Sequence, residues 1–188
     1  MNTAAPISIF LRGINVGGVR IGMADLVATL LSAGYTDVQT VLATGNVVCR
    51  PPTGSDTAAH KTTIERVLSD RYGYNATVHL RTHAALVALC MAARQFPADA
   101  SRHHYALIAD GTATVVALQE AFTKLPVDPQ QSFTALGADA LWVVPKGQTL
   151  TAPFGKIVLG TATYKTTVTS RTVATVERLM QLGATYVH

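Results

Sequence analysis

The stretches "VHLRTHAALVALC" (78–90) and "VTSRTVATVERLM" (168–180) share a Val-x-x-Arg-Thr core and the apolar helical stripe that follows it. A second pair, "TVLATGNVV" (40–48) and "TALGADALW" (134–142), falls in the same order at similar separation. Recurrence of this kind restricts a chain to folds made of two like modules, and it favours internal duplication. The chain has 188 residues, so each half is long enough to hold a core of its own.

The spacing of apolar residues gives the content of each half. "ISIFL" (7–11) reads as a buried strand, and "MADLVATLLSAG" (23–34) as a helix stopped by Gly34. "VQTVLA" (38–43) and "NVVCR" (46–50), turning at Thr44-Gly45, read as a hairpin. A helix capped by Ser55 or Asp56 and ended by Gly73 follows, then the strand "ATVHLR" (76–81) and a helix opened by Thr82. "FPADASRHH" (96–104) reads as a linker. Beyond it come "YALIA" (105–109), the helix "TATVVALQEAFTKL", and a hairpin turning at Gly137-Ala138. A short helix or coil over 150–164, the strand "KTTVTS" and a final helix from Thr172 complete the half. The expectation is an α+β chain of two tandem ferredoxin-like βαββαβ modules with antiparallel sheets, spanning 1–95 and 104–188.

"LRGINVGG" (11–18) before a helix, "GNVV" (45–48) on a hairpin and "TSRTVAT" (169–175) opening the last helix together resemble a bacterial family known as domain of unknown function 1697. The resemblance covers nearly the whole chain and implies tandem ferredoxin-like modules; it implies no activity. The family's signature would fall on Leu11 to Gly18, on Gly45 and Asn46, and on Arg171. Where the family has Arg-Asn-aromatic before the final helix, this chain has Arg171-Thr172-Val173.

The glycine-rich stretch is the foremost candidate for a site. Arg12, Gly13, Asn15, Gly17 and Gly18 stand between a strand and a helix, where backbone N–H groups can converge and a guanidinium can add charge for carboxylate or phosphate. In that reading Arg12 is the charge partner, the Gly17 and Gly18 amides the cradle, and Asn15 the group that orients the ligand. The alternative is a tight crossover whose glycines serve only the turn. The spacing fits neither a Walker loop nor a dinucleotide fingerprint. Asn46 begins the strand that should neighbour the first one, which would bring it near Arg12; equally, Gly-Asn is ordinary hairpin chemistry. Arg171, at the start of the last helix, could meet an anion, whereas its counterpart Arg81 suits a sheet-edge ion pair.

Other chemistries find little support. His79 and His83 straddle a strand-to-helix boundary, His103-His104 lies in the linker, and the two cysteines lack zinc spacing, so no metal and no cofactor is expected. No nucleophile elbow occurs, and Asp25, Asp37 and Asp110 suit caps or turns. Whether the protein is an enzyme stays open. Net charge is +4 without a basic block, so nucleic-acid binding would be weak and salt-sensitive. No apolar run is long enough for a membrane helix, and no leader is read at the start. Together with the two cysteines, this makes a cytoplasmic location the default. The expected function is binding of a small anionic or polar ligand at the LRGINVGG loop. The alternatives are a nucleic-acid or protein-partner scaffold without catalysis, or a motif that serves packing alone.

Overall fold

A computed structural model describes residues 4–15, 19–54, 56–96 and 99–186. The first half runs β1 (Ile7–Arg12), α1 (Met23–Ser32), β2 (Thr36–Val41), β3 (Asn46–Arg50), α2 (Thr57–Tyr72), β4 (Thr77–Thr82) and α3 (His83–Ala93). The second runs β5 (Arg102–Ala109), α4 (Thr112–Thr123), β6 (Ser132–Leu136), β7 (Asp139–Pro145), α5 (Pro153–Gly160), β8 (Val168–Thr172) and α6 (Val173–Ala184). The sheets have orders β2-β3-β1-β4 and β6-β7-β5-β8, antiparallel throughout. This is the expected pair of ferredoxin-like modules.

Register shows how closely the halves correspond. Arg81 lies opposite Ser8 on β1, and Arg171 lies opposite Ala106 on β5. Thr82 and Thr172, next in line, face Ile7 and Tyr105 and accept the amides of Ala85 and Thr175. The Val-x-x-Arg-Thr match is therefore a structural equivalence. By the same register Phe10 corresponds to Ile108 and Leu11 to Ala109. One step further along the chain, Arg12 corresponds to Asp110 and Gly13 to Gly111.

The bounds of β2 and β5 differ from the sequence expectation. β2 stops at Val41 and not Ala43, because Leu42 takes a left-handed φ of 60° and leaves the extended region. β5 starts at Arg102, so His103 and His104 are strand residues and not linker: β7 runs on to Pro145 and offers them partners. Residues 150–164 hold α5 and a short 3₁₀ turn, Ala162–Tyr164.

The chain divides into two compact units, Met1–Val87 with Glu177–His188, and Ala88–Val176. These bounds depart from 1–95 and 104–188 because α3 and α6 each contribute to both units. Polarity marks the linker, whereas the compact units follow packing.

Within the first unit the central strands β1 and β3 are buried along nearly their whole length. Ile7, Ile9, Leu11, Val47 and Cys49 join Leu26, Leu30, Ile64 and Leu68 of α1 and α2 in one core. Strand alternation then sends Ser8, Phe10 and Arg12 to the opposite face, with Asn46 and Val48 beside them. β4 is an edge strand, and α2 seals it: Lys61 donates to the Val78 carbonyl at 2.8 Å, and the Val78 amide donates to Glu65 at 3.0 Å.

Arg50 ties together three parts of this unit. It donates to Asp37 at 2.9 Å, to the Ala4 carbonyl at 3.1 Å and to the Tyr186 carbonyl, and it lies over the Tyr186 ring. Asp37 sits at an irregularity of β2 with φ 52°. Replacing Arg50 with Met keeps bulk but removes its hydrogen bonds to Asp37 and to those carbonyls. We expect Arg50→Met to lower unfolding free energy by about 2 kcal/mol, read by urea denaturation.

Candidate functional site: the interlocked loops at one end of the first sheet

Residues 13–22 separate β1 from α1, while only Asp110 and Gly111 separate β5 from α4. The hairpins differ likewise: Leu42–Gly45 join β2 to β3, and Gly137-Ala138 alone join β6 to β7. Both longer connections leave the same end of the first sheet, since Phe10 near the end of β1 pairs with Asn46 at the start of β3.

The two connections are bonded to each other. The Leu11 amide donates to the Gly45 carbonyl at 2.8 Å, and the Asn15 Nδ2 donates to the Ala43 carbonyl at 2.8 Å. Asn15 also closes its own loop: its amide donates to Val19 O at 2.7 Å, its Oδ1 accepts the Ile21 amide at 3.0 Å, and its Nδ2 reaches Ile21 O at 3.3 Å. It does so from φ 57°, a conformation Asn tolerates better than most residues. Ile14 turns inward and is buried against the core.

Gly45 shows why a glycine is required here. Its φ is 73°, and a Cβ built on it would lie 2.7 Å from both Leu11 Cβ and Ile14 Cδ1. Asn46 beside it is fully buried and donates to Val41 O at 3.0 Å and to Thr44 Oγ1 at 2.9 Å. Gly13, at φ 74°, has open space where its Cβ would be. Leu42 at the hairpin tip combines a left-handed backbone with a side chain 50% exposed, a strained position of the sort that collects near functional surfaces.

Arg12 closes β1, opposite Thr77 of β4, and is half-buried. Burial pulls its guanidinium pKa below the usual value, so the charge sits in a partly desolvated place. A planar, weakly hydrated cation in such surroundings suits a carboxylate or phosphate.

The structure brings Arg12, Gly13, Asn15 and Asn46 to one end of one sheet. The carboxamides of Asn15 and Asn46 are spent on the loops themselves, so Asn15 organises the loop where the sequence suggested ligand contact. Gly17 and Gly18 lie outside the described residues. Arg171 belongs to the second unit, where its Nη1 donates to Thr169 Oγ1 and Ser170 O, each at 2.8 Å. Sequence reasoning missed Leu42 and the Ala43 carbonyl, because neither residue type announces a left-handed backbone or a docking contact. No group of three or more His, Cys, Asp or Glu among the described residues could hold a metal, and no helix among them is long and apolar enough to cross a membrane.

The two turn glycines should respond differently to the same change. Gly13→Ala incurs only the left-handed conformation, about 1–2 kcal/mol. Gly45→Ala adds the collision with Leu11 and Ile14 and is expected to cost about 3–5 kcal/mol. Thermal unfolding of the two variants checks that order.

A search of curated proteins finds no match to this chain. Among solved structures it is similar to "conserved bacterial protein SP0830 from Streptococcus pneumoniae", with a TM-score of 0.74 at 17% identity, over 96% of this chain and 98% of that one. At that identity the likeness concerns the fold. The model of the family described as "Protein of unknown function (DUF1697)" matches residues 5–135, from β1 through most of β6 and including both interlocked loops, and the chain belongs to that family.

Proposed function

We propose that the first unit binds a small anionic or polar ligand at the end of its sheet where the 13–22 connection and the 42–45 hairpin interlock. The reading rests on the contrast between the modules. The second module builds the same sheet with Asp110-Gly111 and a two-residue turn, so the fold itself does not need the longer connections. Loops beyond what a scaffold needs are where binding residues concentrate.

Arg12 supplies the charge, at the position where the second module has Asp110. Asn15 and Asn46 hold the two loops in place. The reading does not draw on Arg171, which belongs to the second unit. The competing reading, a surface for nucleic acid, needs an open sheet face with aromatic rings on its central strands. Phe10 has no exposed surface, and β3 contributes no aromatic residue, which favours the small ligand.

Thermal shift against inorganic phosphate, citrate and adenosine monophosphate tests this. At least one should raise the melting temperature of the wild type, Arg12→Ala should lose the shift, and Arg12→Lys should keep part of it. Equal shifts in wild type and Arg12→Ala, or no shift with any of the three, overturn the proposal. Salt-sensitive retention of RNA on a filter would favour the nucleic-acid reading.

A further inference from the structure

The second unit carries a hollow of about 430 Å³, within the roughly 300–1,000 Å³ range of small-molecule pockets. It lies where α4 ends, the connection to β6 passes and α5 begins. Phe122, Leu125, Val127 and Phe154 give it apolar walls, and Asp128 is the one charged side chain in its lining.

The first unit explains why a hollow stands here. There α1 passes to β2 through Ala33–Tyr35 alone, and Tyr35 is buried with its hydroxyl 3.3 Å from His60 Nδ1. In the second unit the matching connection spans residues 124–131, and Gln131 stands immediately before β6 as Tyr35 does before β2. The covering helix also differs: α2 has 16 residues and α5 only 8. A longer connection beside a shorter helix leaves a hollow over a floor of aromatic rings, of which Phe154 and Trp142 are themselves buried. In that floor Phe122 and Phe154 meet edge-to-face at 5.0 Å, and Trp142 lies against Phe154 at 5.4 Å. Val127 at the rim is 96% exposed.

Asp128 is fixed in position. It accepts the Gln130 amide at 2.9 Å and Gln131 Nε2 at 2.8 Å, which hold its carboxyl below the usual carboxylate range. Gln131 Oε1 in turn accepts the indole N–H of Trp142 at 3.3 Å. A carboxylate held at the edge of an apolar, aromatic hollow complements a positive head on an apolar body.

We propose that this hollow binds a small molecule with an aromatic or aliphatic body and a protonated amine, the amine meeting Asp128. The site is separate from the loop of the first unit and stands or falls without it.

Trp142 is the chain's sole tryptophan, and its indole N–H ends the chain of hydrogen bonds from Asp128, so it reports directly on the site. Titrating ¹⁵N-labelled protein with 2-phenylethylamine should move that resonance saturably. Phenylacetate, of like body and opposite charge, should bind about tenfold more weakly. Asp128→Asn should bring the two probes to similar affinity. Val127→Lys, a change at an exposed position that leaves the fold intact, should weaken the amine selectively. Absence of a saturable shift overturns the proposal, as does phenylacetate binding as tightly as the amine. A preference for the amine that survives both variants overturns it too.

Discussion

The backbone of Gly45 comes close enough to β1 that no side chain fits between them. One hydrogen bond, from the Leu11 amide to the Gly45 carbonyl, carries the β1–β3 pairing past Phe10 and brings the hairpin tip down onto Ile14. With the tip held there, the Ala43 carbonyl stands within reach of Asn15, and Asn15 can fasten the loop that leaves Arg12. If that approach were lost, the 13–22 connection would lose its anchor on the hairpin.

Duplication supplies the control for this argument. Equivalent registers on β1 and β5 give each module the same arginine and the same threonine before its last helix, yet the ends of the sheets have diverged. Asn46 and Asp139 occupy equivalent strand starts, paired with Val41 and Leu136, and both are buried. Four residues span the first turn and two span the second. That difference is why the ungapped likeness of "TVLATGNVV" to "TALGADALW" is out of register on either side of the turn, whereas Val-x-x-Arg-Thr aligns residue for residue.

Element order, sheet class and helix stops were legible because they follow from local chemistry. Gly73 takes a left-handed φ at the end of α2, and the Asp56 carboxylate caps its start by accepting the Ala59 amide. The density of glycine around Arg12 marked a connection that is far longer than its counterpart in the second module. The loop's internal economy was not legible. Nothing in the residue type of Asn15 says that its carboxamide will be used on Ile21 and Ala43, because that depends on a hairpin distant in sequence. The reach of α3 and α6 across the two units was equally hidden, since an apolar stripe records that a helix packs and not against which sheet.

The modules have departed from their common plan at different connections. The first lengthens the passage from β1 to α1 and its hairpin, and fills the corner between α1 and β2 with Tyr35 and His60. The second keeps its β5–α4 passage to two residues, with Asp110 accepting the Thr114 hydroxyl at 2.5 Å, and lengthens instead the passage from α4 to β6. Each sheet tolerates its own insertion because the four-stranded ladder is complete without it. A cation, Arg12, stands at the modified end of one module and a carboxylate, Asp128, at the modified corner of the other.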